Sequence, residues 1–422
     1  YTLCRLTIGS SDFSVSHYNY ANTTNDYELN SFSIEHDLQY IIPMIQRAQK
    51  VAADAGNTLR FLSSPWSPPA WMKRNMRMMN SFMPGLLQEE QIFKSWALYF
   101  SKYISEYAKH GINIEYITVQ NEPHVSKQFA VTYECCGFEP QHEQDFVKNY
   151  LGPQIKNDHP NVKIFIHDDQ KDDRMLDMVD TILADPDTAK YVDGIAFHWY
   201  ENWGLNYDIL KQVHESFPDY PLLATEATNP RPLEENLGNR VWLYGQKYAT
   251  DILRDMNHYT TGWIDWNMLL DFTGGPSNQH LGEKLNDLGN CDAPIRANFT
   301  SYPYYPLDEA RGDFSLIYQP SYYFYGHFTR YVTIGSVGVN MVQTPEPTPP
   351  KEKTGISTSL ESVAFIRKTT TSTSSSENNE ELVVIITNFV DYESTYTLNV
   401  KDVGTAEIKI PPQSAHTLIV PI

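Results

Sequence analysis

Cysteine is scarce: the 422-residue chain has four, Cys4, Cys135, Cys136 and Cys291. That is too few to scaffold a chain of this length, and none has the Cys-x-x-Cys spacing of a zinc site. Positive charge is also short. Lys and Arg total 32 against 52 Asp and Glu, a formal charge of −20. This excludes a protein whose task is to coat nucleic acid, which needs clustered cations. No apolar run approaches the roughly 18 residues of a spanning helix, so the chain is not transmembrane. No Gly-x-Gly-x-x-Gly turn follows the first β-rich run, which counts against a dinucleotide fold. No signal peptide is present and the chain starts at Tyr1. The expectation is an N-terminus that has been processed or cut away.

What is present is material for a large core, with 41% hydrophobic and 13% aromatic residues. Up to about residue 335, short β-rich runs alternate with amphipathic stretches. The strand-like runs are Leu3–Ile8, Leu59–Ser63, Ile114–Gln120, Val162–His167, Val192–His198, Leu222–Glu226 and Gly262–Asn267. Between them lie helix signals. One follows Ser33, a capping residue, with a kink expected at Pro43 and a stop at Gly56. Another runs from about Glu89 to His110, its stripe formed by Ile92, Trp96, Tyr99, Phe100, Tyr103 and Tyr107. Repeated βα units demand a parallel sheet, so the candidates are a (β/α)8 barrel and an open doubly wound sheet. The seven runs are one short of a barrel. From residue 336 the texture changes. A proline-rich loop, Thr344–Pro350, and a Thr/Ser stretch, Thr369–Ser376, interrupt β-rich runs with no helix between them. These predict a β-sandwich over 336–422 beside a catalytic domain over 1–335.

The third run leads into Gln120-Asn121-Glu122-Pro123 and the sixth into Thr225-Glu226-Ala227. Residues at the C-terminal strand ends of a barrel face the active-site mouth. Two glutamates so placed are what glycoside hydrolysis needs, one protonated as acid and one ionised as nucleophile or base.

With these blocks go Ser10-Ser11-Asp12-Phe13-Ser14, Ser64-Pro65-Trp66-Ser67-Pro68-Pro69-Ala70-Trp71-Met72-Lys73, His167-Asp168-Asp169-Gln170, Gly194-Ile195-Ala196-Phe197-His198-Trp199-Tyr200, Gly262-Trp263-Ile264-Asp265-Trp266-Asn267, Gly274-Gly275-Pro276 and Gly326-His327-Phe328. In this order the chain resembles the glucosylceramidases of glycoside hydrolase family 30 over nearly its whole length. The resemblance implies a TIM barrel with a β-sandwich and a retaining hydrolysis of glucosylceramide to glucose and ceramide. It implies Glu122 as acid/base and Glu226 as nucleophile. Asn121 would bond the sugar 2-hydroxyl and Asp12 other glucose hydroxyls, while Tyr200 would bond the nucleophile. Trp66 and Trp266 are candidates for subsite walls and Asp265 for hydroxyl binding. His198 shares the strand end of Tyr200 and is either a sugar contact or a satisfied buried histidine. Arg5 is expected to pair with a site carboxylate or in a buried structural ion pair. His167-Asp168-Asp169 reads as structural, or at most as lining the mouth, with no metal. No cofactor is implied.

The resemblance further implies glucosylceramide at membrane surfaces as partner, a saposin-type activator, and a lysosomal or secreted address. Sequons at Asn22 and Asn298 lean the same way. Met72, Met76, Met78 and Met79 are expected in a mouth loop, either packing there or meeting ceramide. Cys136-Gly137-Phe138-Glu139-Pro140 favours the lipid substrate over a β-1,6-glucanase or xylanase of the same family. The family's chain begins earlier, with a first barrel strand not found before Tyr1. The seven runs then correspond to strands two to eight, with an open seam and a chain expected to be unstable or poorly active alone. A catalytically impaired glycolipid-binding fragment of the same fold is the remaining alternative. Insertions are expected between Pro276 and Cys291, where Asn290 is a possible sugar contact, and over Tyr302–Phe314.

Overall fold

The computed structural model describes the chain apart from residues 125–130, 132, 201–205, 231–236, 272–273, 277–290, 300–313, 352–353 and 370–378. Asn290, most of both predicted insertions and the Thr/Ser stretch lie outside the described residues. Seven parallel strands form one sheet in sequence order: β1 (Leu3–Ile8), β2 (Arg60–Pro65), β3 (Ile114–Thr118), β4 (Lys163–Gln170), β5 (Gly194–His198), β6 (Leu222–Glu226) and β7 (Thr260–Trp263). Helices cross between them. They are α1 (Ile41–Asp54), α2 (Glu90–Lys109), α3 (Pro140–Phe146), α4 (Gly152–Asp158), α5 (Asp173–Leu183), α6 (Tyr207–Ser216) and α7 (Leu237–Asn257), with α8 (Pro320–Tyr331) after the last strand.

The apolar stripe of α2 is fully buried: Trp96, Tyr99, Phe100, Tyr103 and Tyr107 expose none of their surface. Where one kinked helix was expected after Ser33, the chain makes two. A short helix, Glu35–Gln39, ends at Tyr40, and α1 then starts with Pro43 in its first turn. A proline there forfeits no hydrogen bond, because first-turn N–H groups have no helical partner.

The interior of the curled sheet is layered. Leu3, Leu62, Tyr116, Phe165, Ala196 and Leu223, one from each of β1 to β6, pack together as an apolar floor. Strand side chains alternate with period two. The inward residues one step further on are therefore Arg5, Ser64, Thr118, His198 and Thr225, a polar layer just below the strand ends. On β7, a Cβ at Gly262 would lie 2.7 Å from Leu223 Cδ1 and 3.4 Å from Leu3 Cδ2. The sheet therefore curls until its last strand meets the side chains of its first. Among the described residues β1 and β7 do not pair, so the open seam falls between them.

Beyond the mouth lies a small sheet of β8 (Leu269–Asp271), β9 (Ile295–Phe299) and β10 (Phe314–Tyr318). The C-terminal part stacks the sheet β11 (Val337–Val339), β12 (Leu360–Thr369), β13 (Asn379–Asn388), β16 (Ser414–Pro421) on the pair β14 (Ser394–Val400), β15 (Gly404–Ile410). Ala364, Leu382, Val384 and Ile386 meet Tyr396, Leu398 and Ile410 between these layers. The alternate residues Val363, Phe365, Val383 and Ile385 turn the other way and join the core of the barrel region. An ion pair at 2.6 Å between Arg254 of α7 and the buried Glu361 of β12 ties the two parts.

Candidate active site

β6 ends in Glu226, and the turn after β3 carries Asn121 and Glu122. Glu226 receives two donors. Arg5 Nη1 reaches its Oε2 at 2.5 Å and the Tyr200 hydroxyl its Oε1 at 2.8 Å. A charge-assisted bond on one oxygen and a hydroxyl bond on the other fix the orientation of the carboxyl group. Glu122 is placed differently. Gln170 Nε2 donates to its Oε1 at 2.8 Å, and His198 Nδ1 approaches at 3.3 Å. Burial, helped by the charge of Glu226, raises the Glu122 carboxyl above its ordinary range although His198 opposes this. Its backbone has a positive φ of 43°, a strained conformation for a non-glycine residue that functional sites often carry. Oxygens of Glu122 and Glu226 and a nitrogen of His198 all lie within 4.8 Å of one another.

Under the two glutamates sits Asp168, where five bonds converge. Its Oδ2 accepts from Arg5 at 2.9 Å, Ser64 at 3.0 Å and Thr118 at 2.5 Å. Its Oδ1 accepts from His198 Nε2 at 3.1 Å and Thr225 at 2.6 Å. The donors come from β1, β2, β3, β5 and β6. Burial pushes this carboxyl up, but Arg5 and His198 outweigh it and hold it far below the carboxylate range. His198 is the mirror case. Burial alone would lower its pKa, yet Glu226, Asp168 and Glu122 push it up to about 10. The ring is thus an imidazolium with both N–H groups donating. The same three atoms are close enough together to meet one metal ion.

A bulge brings Asp168 inward. Phe165 faces the interior, so strict alternation would turn His167 in after it. The β4–β5 register shifts between His167 and Asp169, and both His167 and Asp168 have positive φ. His167 instead bonds the Gln170 carbonyl, and its backbone N–H bonds Glu143 of α3. Asp169 accepts from the backbone N–H of His124, which steadies the turn carrying Glu122.

The remaining expected site residues gather around this centre. Asn121 is buried and its Oδ1 accepts from Arg5 at 2.8 Å. Asp265 accepts from Tyr248 at 2.7 Å and from the backbone of Trp266, while its Oδ2 has no partner among the described residues. Burial, with the charges of Glu226, Glu134 and Glu122, holds Asp12 well above its ordinary pKa. Burial does the same to Asp265. Trp66 and Trp266 stack at 4.8 Å, and the Arg5 guanidinium lies 4.8 Å from the Trp66 ring centre. Trp66 is only 2% exposed, so it backs the site while the half-buried Trp266 borders it. Arg5 and His198 are likewise enclosed, and both bond carboxylates of the site.

One expectation changes. The His167-Asp168-Asp169 run holds the hub of the site and not merely its lining. The only sequence signal for this was an aspartate pair at a strand end, and the bulge hid which member turned in. Gln170 was missed for the same reason. The methionines divide between packing and exposure. Met72 and Met78 are buried, while Met76 is 56% exposed.

Comparison with known proteins finds a matching family and relatives of this chain. The profile of the glycosyl hydrolase family 30 TIM-barrel domain matches residues 1–332. The lysosomal acid glucosylceramidase of Mus musculus is 32% identical over 428 residues, covering 99% of this chain and 73% of that protein. An endo-1,6-beta-D-glucanase of Neurospora crassa is 26% identical over 345 residues, covering 80% of this chain and 63% of its own length. Among solved structures, SrfJ of Salmonella typhimurium superposes with a TM-score of 0.79 at 28% identity, covering 99% of this chain and 81% of that one.

Proposed function

Because this chain belongs to glycosyl hydrolase family 30, we propose that it is a retaining β-glucosidase that hydrolyses glucosylceramide to glucose and ceramide. The observation that carries the retaining chemistry is the approach of the two glutamates, whose oxygens lie within 4.8 Å. Retaining enzymes hold their carboxyl groups roughly 5–5.5 Å apart, and inverting ones about 6.5–9.5 Å, to admit a water. The substrate class follows the mouse relative's name and the near-complete coverage of this chain by it.

In the mechanism, Glu226 attacks the anomeric carbon. Arg5 and Tyr200 bond its two oxygens and aim it. Glu122 gives its proton to the departing ceramide oxygen, and a glucosyl ester forms on Glu226. Glu122, now a carboxylate beside the His198 imidazolium, takes a proton from water as that water attacks the ester. Asn121 would bond the sugar 2-hydroxyl, Asp12 and Asp265 the other hydroxyls, and Trp266 would pack on the ring. The chemistry calls on no cofactor. A lysosomal or secreted setting and a saposin-type activator belong to the same reading.

The test is covalent labelling with a cyclophellitol-type β-glucoside epoxide at mildly acidic pH, followed by intact mass and peptide mapping. One adduct per chain on Glu226 is the expected result. An adduct on another residue would overturn the assignment. Comparing turnover of glucosylceramide, gentio-oligosaccharide and xylan then tests the substrate, with only the first expected to react.

A further inference from the structure

The chain leaving β1 makes a closed loop over residues 9–18, and Asp12 lies at its tip. At the neck Ser10 and Tyr18 pair twice. Ser10 N–H donates to the Tyr18 carbonyl at 3.1 Å, and Tyr18 N–H donates to Ser10 Oγ at 3.0 Å. At the tip Ser14 N–H bonds the Ser11 carbonyl at 3.0 Å, and Ser11 N–H bonds Ser14 Oγ at 3.0 Å. Asp12 is the second residue of that turn. Its neighbour Phe13 meets the Trp266 ring edge-on at 5.8 Å. Such a loop keeps its own shape, so the place of Asp12 in the mouth depends on how the loop is anchored.

Glu134 supplies an anchor from across the chain. It is completely buried. Its Oε1 accepts from Ser10 Oγ at 2.5 Å and bonds His17 Nδ1 at 2.7 Å. One carboxyl oxygen thus grips both limbs of the loop. Glu134 itself stands on a stiff base. Its backbone bridges Met79, and Cys135 N–H bonds the Met78 carbonyl at 3.2 Å. The buried Lys73 ammonium donates to the Cys135 carbonyl. A little further on, Phe138 N–H bonds the Pro123 carbonyl at 3.1 Å, next to Glu122. A single segment therefore joins the loop of Asp12 to the turn of Glu122. Burial, with the charges of Glu226, Glu134 and Glu122, favours the neutral form of Asp12. A neutral carboxyl has one donating oxygen and one that only accepts, so its direction decides which hydroxyls it can serve.

We propose that Glu134 is a positioning residue for sugar binding: by gripping Ser10 and His17 it sets the place and direction of Asp12 against the glucose hydroxyls. This rests on the glycosidase reading, in which Asp12 holds the sugar. A contact made equally in the ground and transition states shows in KM and not in kcat.

The test is steady-state kinetics of the whole chain on a soluble aryl β-glucoside, with D-glucose as competitive inhibitor. Glu134→Ala should raise KM and the glucose Ki together by about tenfold, the loss of one bond to a charged group, while kcat stays close to the parent's. Ser10→Ala breaks the same bond from the loop side and should act alike, which covers an alanine variant at 134 that does not fold. A double-mutant cycle shows whether the effect runs through Asp12. Asp12→Asn alone should raise KM, and adding Glu134→Ala or Ser10→Ala to it should raise KM little further. Effects that multiply would overturn the proposal, as would a lower kcat at unchanged KM, since either assigns Glu134 to stability. A raised KM in Asp12→Asn with none in the other two variants overturns this proposal alone. An Asp12→Asn variant with unchanged KM and Ki overturns the reading of Asp12 as a sugar ligand as well.

Discussion

Asp168 never reaches the sugar in the proposed mechanism, yet it orients both groups that control the two glutamates. Arg5 bonds Asp168 and Glu226 at once, and His198 bonds Asp168 and approaches Glu122. Asp168→Asn keeps the shape and removes the charge. Breaking a buried pair in this way costs roughly 3–5 kcal/mol, so a lower denaturation midpoint is expected. A misplacement at the centre costs on the order of 10²-fold in rate, so kcat should fall by about that much with KM little changed. The pH profile separates positioning from mere stability. Without Asp168 the imidazolium of His198 loses its main anchor, Glu122 loses a donor that stabilises its carboxylate, and its pKa rises. The alkaline limb of kcat/KM should then move to higher pH. A variant with reduced kcat and an unmoved limb would assign Asp168 to stability alone.

Elements position these residues through irregularities more than through regular geometry. The β4 bulge inserts one residue into the alternation and so exchanges His167 for Asp168 at the interior. Bulges next to active sites commonly re-aim a side chain in this way. The loop after β2 depends on one buried lysine instead of a helix or strand. Lys73→Met would leave the Cys135 carbonyl buried without its donor and would take one of two donors from the carbonyls of Met78 and Asn80. An unsatisfied buried polar group costs about 1–3 kcal/mol. Amide exchange across residues 74–85 should accelerate far more than in α2, and an unchanged rate would mean that the backbone bridges alone hold the loop.

At the scale of the whole molecule, charge and burial tie stability to acidic solution. Glu143 is fully buried, and burial pushes its carboxyl from 4.5 to about 8. Burial also raises Asp12, Asp255 and Asp265. A raised folded-state pKa contributes stability that is complete below the unfolded value and lost as pH climbs through the folded one. For Glu143 that loss runs from 4.5 to about 8, and for His198 from 6.5 to about 10. Asp168 and Asp169 have the opposite sign: both are depressed, so their contribution is present above 3.8 and lost on further acidification. Lys247, lowered by burial from 10.5 to about 8, opposes the trend only above 8. The melting temperature should therefore peak near pH 4–5 and fall steadily towards pH 8, a loss on the order of 3 kcal/mol. A maximum at or above pH 7 would contradict this. Glu143→Gln should flatten the decline, because the amide does not titrate.

The sequence by itself determined the strand–helix alternation, the core faces and the placing of two glutamates at strand ends. Each of these depends on local periodicity and on residue type at a strand end. Trp96, Tyr99 and Tyr103 are buried because they recur at helical spacing, and Leu382–Ile386 because an unbroken apolar run has no other place to go. Glu122 and Glu226 were legible because strand ends of a barrel converge. Tertiary structure alone decided which neighbour of each candidate does the work. Asp168 outranks Asp169 through a one-residue register shift that no local pattern announces. Trp66 backs the site where Trp266 borders it, because their stacking is set by two strands nearly 200 residues apart in the chain. Met76 separates from Met78 because a lysine buried from one side pins the loop, and only long-range contacts reveal which side is wet.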